Sequence, residues 1–394
     1  MTADAWRTQL RRLHPTPFGL VLAVLVAIGA LVALVRYASG IGAISHLSNT
    51  YSWGLWISLD LLCGVALGAG AFTMAAIVYI LDLEQFRPIL RPAILTGFLG
   101  YLMVIVALLV DLGRPERIWH LMIYQNVHSV LFEVGVCVML YTTVLAIEFL
   151  PVLLGPTHWE KPLRILHATT LPLVIAGVVL STLHQSSLGS LFLIMPSKVD
   201  PLWYSPLLPL FFFLTAVAVG LSMVIVESSA SARAFHRGLE LDLLDRLAKA
   251  VPYVLGLYLV LRLGDLVLRG NLPRLFSEPV ALLLWLELIV GVAAPMVFFS
   301  RKENRRSPKG LLIGSLLVIA GVVLNRFDVS LLAQHHLGGQ AYLPSLGELA
   351  ISLGIISAGI LAFAFVARFF PLFESETHDP ESAAAPAPAS LTGT

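Results

Sequence analysis

Ten apolar stretches, at 18–36, 54–81, 90–110, 128–150, 165–185, 205–227, 247–269, 279–300, 309–326 and 346–370, divide this protein. About 20 apolar residues in a helix cross the hydrocarbon core of a bilayer. A soluble core could not hide so much apolar surface. Of the 394 residues 58% are hydrophobic and only 12% charged, whereas soluble domains carry roughly a quarter charged residues. Pro and Gly inside several stretches (Pro172, Pro209, Gly256) are ordinary in membrane helices. The expected fold is all-α and polytopic, with about ten transmembrane helices. The first stretch lacks a small-residue cleavage site and runs too long for a cleavable signal peptide. The expected layout is an N-terminal segment 1–17, a membrane domain 18–370 and a tail 371–394. The tail ends "HDPESAAAPAPASLTGT", whose Pro/Ala-rich composition predicts disorder. A formal net charge of +1 gives no signal for nucleic acid, and Cys63 and Cys137 both lie in apolar runs. That excludes a disulfide framework and a Cys-ligated cluster.

Basic residues orient such a protein, because Lys and Arg concentrate on the cytoplasmic side. With the N terminus inside, 17 of the 25 Lys and Arg fall on the inner face, among them Arg87, Arg91, Arg237, Arg246, Lys249, Arg301, Arg305 and Arg306. Arg36, Arg114, Arg117, Lys198, Arg269, Arg274 and Arg326 fall outside, and Arg262 lies within a span. Both termini are therefore expected in the cytoplasm. The longer loops 37–53, 111–127, 186–204 and 327–345 then face out. They carry Trp53, Trp119, Tyr124, Trp203, Tyr204 and Tyr342. These aromatics suit an interfacial belt, and several sizeable loops on one face also suit the docking of an extracytoplasmic partner.

Ionisable groups within a span are costly unless they are paired, hydrated or turned inward. Asp60 in "WISLDLLCG" is expected ~9 Å below the outer end of the second helix, and Glu133 in "HSVLFEVGVC" about 7 Å down the fourth. Glu287 lies at similar depth on the eighth. Arg262 and Asp265 in "VLRLGDLVL" are three apart, on one face of the seventh, a spacing that also suits a structural ion pair. The fifth helix ends in "STLHQSSLGSL", placing His184, Gln185, Ser186 and Ser187 at the same outer level. This patch either caps the helix or lines a pocket. Acids at one depth favour the pocket, since carboxyls there can take or give protons. Glu148 and Glu227 end helices on the other side, and Tyr141, Thr142 and Glu148 offer a conduit toward it. A transmembrane b-type haem needs two axial imidazoles inside a bundle. Most histidines instead sit in loops or termini, with only His128, His167 and His184 at helix ends. Neither haem nor a metal site is expected.

"LLVDLGRPERI" closes the third helix and "LRLGDLVLRGNL" the seventh, each followed by a helix with an acid near its outer end. This echo predicts two parallel four-helix bundles, helices two to five and six to nine, with the first and last outside.

Several segments in order, "YSWGLWISLDLLCGVALGAGAF", "RPAILTGFLGY", "DLGRPERIW", "NVHSVLFEVGVC", "STLHQSSLGSL", "PLWYSPLLPL", "VLRLGDL" and "SLGELAISLG", resemble the polysulfide-reductase/NrfD family. The likeness is to its HybB-type branch, which serves hydrogenase-2-type complexes, and covers nearly the whole sequence. It implies a haem-free membrane subunit that binds menaquinone or ubiquinone near the extracytoplasmic face of the bacterial inner membrane. It also implies an extracytoplasmic ferredoxin-like Fe–S protein as partner, with a nickel–iron hydrogenase beyond it. Carried over on matching residues, Glu133, Asp60 and His184 handle protons. Gln185, Ser187, Arg262, Asp265, Trp53, Asp111 and Arg114 join His184 around the quinone. Asp265 stands where the branch commonly has Glu, which keeps the charge and shortens its reach. The same module could serve another periplasmic oxidoreductase, such as a multihaem cytochrome or a molybdenum reductase. An ion or solute transporter working through the same acids is the competing class. Broken helices meeting at the midplane would mark it, whereas these acids gather toward one face.

Overall fold

The computed structural model describes residues 16–154, 160–334 and 342–373, with backbone alone at 160, 162 and 167. The expected N-terminal segment and disordered tail lie almost wholly outside those residues, as do His14, His158, His335 and His336. Ten helices long and apolar enough to cross a membrane are present among the described residues. They are α1 Pro17–Ser39, α2 Trp56–Ile80, α3 Arg87–Asp111, α4 Val130–Leu154, α5 Glu160–Ser190, α6 Leu208–Ala234, α7 Leu241–Leu268, α8 Ala281–Ser300, α9 Pro308–Leu332 and α10 Leu346–Phe369. The molecule is an integral, multi-pass, all-α membrane protein. Extended backbone pairs only in an isolated bridge between Val199 and Gln334 among these residues.

Local chemistry fixes where several helices start. Thr16 Oγ1 accepts from Gly19 N–H at 3.0 Å ahead of Pro17, and Ser307 Oγ from Gly310 N–H at 2.9 Å ahead of Pro308. Proline suits the first helical position because its missing N–H would have no partner there. Ser345 and Glu348 form a reciprocal capping box that opens α10.

Helices α2, α3, α4 and α5 close one ring of contacts, and α6, α7, α8 and α9 close a second. The rings join through α2 against α6 and α9, and α5 against α6. α1 pairs with α10 beside them, and α10 also touches α2 and α3. Two four-helix bundles with a flanking pair are the architecture that the echo predicts. α2 and α6 are the most enclosed helices, and α1 is the least. Small residues allow the close crossings, as is common where lipid removes the hydrophobic drive between helices. A Cβ on Gly220 would meet Gly70 N at 2.8 Å, and one on Gly291 would meet Gly321 Cα at 2.5 Å.

Several helices are not regular. π-helical turns occupy Trp56–Cys63 and Ala76–Ile80 in α2, Glu287–Ala293 in α8 and Asp328–Leu332 in α9. α2 also tightens at Gly68–Ala69, where Gly68 N–H bonds Gly64 O and Ala69 N–H bonds Ala66 O. The backbone ladder is kept there, so α2 does not unwind.

Connections 40–55, 112–129, 191–207 and 269–280 emerge on one face, called here the loop-rich face, together with residues 333–334 and 342–345. The opposite face carries Arg87, Arg233, Arg246, Lys249, Arg301, Lys302, Arg306 and Arg368. Two arginines counted as loop charges from the sequence are corrected by the structure. Arg36 is buried in α1, where its guanidinium donates to the carbonyls of Val110 (2.8 Å) and Leu112. Arg326 is wholly buried in α9.

Candidate functional site

The first bundle encloses a polar layer five to eleven residues beneath the loop-rich face. Tyr101 comes from α3, Tyr141 from α4, and Ser181, His184 and Gln185 from α5; all are buried. The Tyr101 ring lies edge-on to Tyr141 at 4.8 Å and tilted against His184 at 5.6 Å between centroids. Gln185 Nε2 donates to Val65 O of α2 at 3.0 Å, which fixes the amide and leaves its oxygen without a donor. Ser181 lies near both phenols, yet none of the three hydroxyls reaches bonding geometry. His184 Nδ1 and Nε2 also lack a partner among the described residues. Each buried polar group left in that condition costs about 1–3 kcal/mol. A layer holding several such groups suits a hydrogen-bonding guest rather than a finished core.

The second bundle encloses another layer. Glu287 of α8 accepts from Tyr258 Oη at 2.7 Å, Asn325 Nδ2 at 3.0 Å and Trp203 Nε1 at 3.3 Å. Arg326 donates to Asn325 Oδ1 (2.6 Å), Thr215 Oγ1 (2.9 Å) and Phe212 O (3.1 Å), and its guanidinium lies 3.7 Å over the Phe212 ring. Arg262 donates through Nη2 to Leu202 O at 2.9 Å, while its Nε and Nη1 have no partner among the described residues.

Arg262 and Asp265, whose spacing also suits an ion pair, do not pair with each other. Asp265 accepts from Arg269 Nη2 at 2.7 Å and Nε at 2.9 Å, and from Ser205 Oγ at 2.8 Å. Four-residue spacing puts Arg269 directly above Asp265 on α7, and helix rotation turns Arg262 inward instead.

The remaining expected site residues are dispersed. Asp60, in the first π turn of α2, accepts from Ser352 Oγ of α10 at 2.6 Å. Ser187 Oγ bonds its own helix at His184 O, 3.0 Å away, so its hydroxyl is satisfied within α5. Trp53 is half-buried with its indole N–H unpartnered among the described residues. Asp111 ends α3 in the field of Arg36 and Glu348. Arg114 is exposed on the loop-rich face and pairs with Glu116 at 3.3 Å. Glu133 is exposed on α4. It lies one and two steps of four residues from Cys137 and Tyr141, so the three share a stripe of that helix. Glu148 continues the stripe, with its carboxylate beside Gly177 of α5. Thr142 instead bonds Val138 O of its own helix at 2.6 Å. Glu227 of α6 accepts from Ser231 Oγ at 2.8 Å and lines two small cavities, one of which reaches the basic face beside Arg237.

Sequence reasoning missed Tyr101, Tyr258, Arg326 and Asp328. The last two sit in "NRFDVS", just past or at the edge of the predicted ninth stretch. Extending that stretch to the length of its neighbours would have brought both into the membrane. Among the described residues no group of His, Cys, Asp and Glu is arranged to hold a metal ion.

Two bundles, each enclosing a layer of buried polar side chains, make this an integral multi-pass membrane protein with a polar interior. The protein belongs to the NrfD family: the family described as polysulphide reductase, NrfD, matches residues 44–337. It is 34% identical to the probable Ni/Fe-hydrogenase 2 b-type cytochrome subunit of Escherichia coli K12, covering 88% of this sequence and 90% of that one. It is 28% identical to the menaquinone reductase integral membrane subunit of Nitratidesulfovibrio vulgaris, covering 86% and 87%. Similarity extends to a polysulfide reductase subunit of Wolinella succinogenes, at 26% identity over 74% of this sequence and 96% of that protein.

Proposed function

We propose that this protein is the quinone-reactive membrane subunit of an extracytoplasmic oxidoreductase complex. It would exchange electrons with a ferredoxin-like Fe–S protein docked on the loop-rich face, and through it with a nickel–iron hydrogenase. The observation that carries the reading is the buried imidazole of His184, with both nitrogens open, beside Tyr101, Tyr141, Ser181 and the Gln185 carbonyl. Quinone carbonyls need hydrogen-bond donors, and sites for such ligands are mostly apolar with a few convergent polar groups. The hydrogenase and menaquinone reductase subunits named above favour the same chemistry. The charge asymmetry supports an extracytoplasmic loop-rich face and cytoplasmic termini in a bacterial inner membrane.

Reducing a quinone to a quinol consumes two electrons and two protons. The electrons come from the docked carrier. The protons come from carboxyls, of which Glu133 is the one a lipid-soluble quinone meets first, since it faces outward on α4 close to the loop-rich rim. The stripe Glu133, Cys137, Tyr141 and Glu148 then runs toward the basic face. Protons entering by that stripe, or past Glu227, make turnover electrogenic, whereas protons from the loop-rich side make it electroneutral. Haem has no part in this reading. His184 is the sole buried histidine among those whose side chains are described, and His128 is exposed. They do not offer two facing imidazoles in one bundle.

Glu133→Gln tests the proposal in the assembled complex. Hydrogen oxidation with a quinone acceptor is expected to fall at least tenfold, while oxidation with a soluble artificial acceptor persists. Equal loss with both acceptors would overturn the role of Glu133.

A further inference from the structure

Basic residues line the whole face opposite the loops, but at one corner of the second bundle they are held in a frame. The connection from α8 to α9 folds back on the start of α7. Arg305, largely buried, donates through Nε to Asp245 Oδ1 of α7 at 3.0 Å, and through Nη1 to the carbonyls of Phe299 and Ser300. Asn304 Nδ2 donates to Phe298 O at 2.8 Å. The last carbonyls of α8 are thus satisfied by the connection that follows, and the connection is pinned to α7. The strut uses one cation and one acid and leaves their neighbours free. Arg246 and Lys249 on α7, and Arg301, Lys302, Arg306 and Lys309 after α8, are all exposed. None of these six forms an ion pair among the described residues. The exposed acids of the same two segments are Asp242 and Glu303, so six positive charges against two negative leave four in excess. On the first bundle, by contrast, Arg87 pairs with Glu84 at 3.3 Å.

The surface beneath this corner is apolar and open. Spacings of three and four keep residues on one helical face, and they carry Arg246 and Lys249 on into Tyr253, Leu257 and Val260. These three are 73%, 50% and 69% exposed. Gly256, beside that stripe, packs on α8, where a Cβ would meet Met296 Cε at 3.3 Å. The stripe therefore follows the seam between α7 and α8, and Val297, 59% exposed, borders it from α8. From Arg246 to Val260 the axis advances about 21 Å, roughly half of a bilayer with its headgroups. Cations, then an aromatic with a polar tip, then aliphatic side chains is the order in which a phospholipid presents phosphate, glycerol esters and chains. Tyrosine favours the headgroup level, and basic sites beside membrane helices recognise anionic headgroups.

We propose that this corner binds one anionic phospholipid, its phosphodiester held by Arg246, Lys249 and Arg306 and one acyl chain laid along Tyr253, Leu257 and Val260. Arginine suits the task because its donors match two phosphate oxygens at once. A zwitterionic lipid brings its own cation to a corner already in positive excess, so it is disfavoured. A free phosphate would meet the cations but make no use of the stripe.

The inference is independent of the quinone reading, and so is its test. Native mass spectrometry of the full-length protein, released from nanodiscs of phosphatidylcholine and phosphatidylglycerol in equal amounts, reads which lipid stays bound. Preferential retention of phosphatidylglycerol is expected. Arg246→Gln combined with Lys249→Gln should lower it roughly fivefold or more. Arg233→Gln combined with Arg368→Gln, which removes two exposed charges elsewhere on the same face, should leave it unchanged. Arg306→Gln alone should also lower it, and so decides the matter if the first double variant does not fold. A phosphatidylglycerol with a photoreactive group in its chain should label α7 between Tyr253 and Val260, and excess inorganic phosphate should not displace the lipid. Equal retention of the two lipids, equal loss in both double variants, labelling away from α7 or displacement by phosphate would each overturn the proposal.

Discussion

His184 makes no hydrogen bond through its ring to the described protein, although it is wholly enclosed. That combination has a testable consequence. Removing a buried polar group that has no partner can be neutral or stabilising, whereas removing one partner of a bonded pair is costly. His184→Phe keeps the ring contact with Tyr101, so its thermal stability in detergent should stay within about 1 kcal/mol of the parent. Quinone-linked turnover in the complex should nevertheless be lost. A large fall in stability would mean that the imidazole serves the fold, and unchanged turnover would remove it from the site. Arg262 and Asp265 give the opposite lesson about residues. Both were legible as intramembrane charges, but their partners were not. Asp265 takes Arg269 one turn away, and Arg262 donates to Leu202 O instead, because helix rotation against neighbours decides which way a side chain points. A spacing of three in the sequence allowed the pairing without requiring it.

Among the elements, α8 and α9 are held close by glycine. Gly291 lies in the π turn that begins at Glu287, and its partner Gly321 sits where the two backbones touch. Gly321→Val should push the helices apart. The overpacking cost is typically about 1–3 kcal/mol, and the separation also strains the Glu287 to Asn325 bond that spans them. A lowered melting temperature should therefore accompany loss of the carboxyl environment at Glu287. Gly264→Val on α7, where a Cβ would meet nothing within 4 Å, is the control expected to be close to neutral. The element count was readable from the sequence and the boundaries to within seven residues, because local apolarity marks a span more sharply than its ends. The π turns were not, since an extra residue in a helical turn leaves no mark on hydropathy. The end of α9 was cut short for a related reason: Arg326 and Asp328 look like a loop until Thr215, Asn325 and Phe212 are seen around the guanidinium.

For the molecule as a whole, the basic and loop-rich faces predict a topology. Cys63 and Cys137 are buried, so an introduced thiol can report alone. Arg114→Cys should react with a membrane-impermeant reagent added from the extracytoplasmic side, and Arg301→Cys only after the membrane is opened. The reverse pattern would invert the orientation and overturn the proposed docking of a redox partner on the extracytoplasmic side. What the sequence determined by itself was the class of molecule, its ten crossings, the repeat of two bundles and the family. Each of these follows from properties summed along the sequence or from motifs kept in order. Only the tertiary structure decided that Glu133 faces outward, that Arg36 and Arg326 are enclosed, and that each bundle carries its own polar layer. Those outcomes depend on how helices distant in sequence rotate and approach one another. In lipid, small residues, helix packing and the need to partner buried charges set that rotation, and no single helix contains the information.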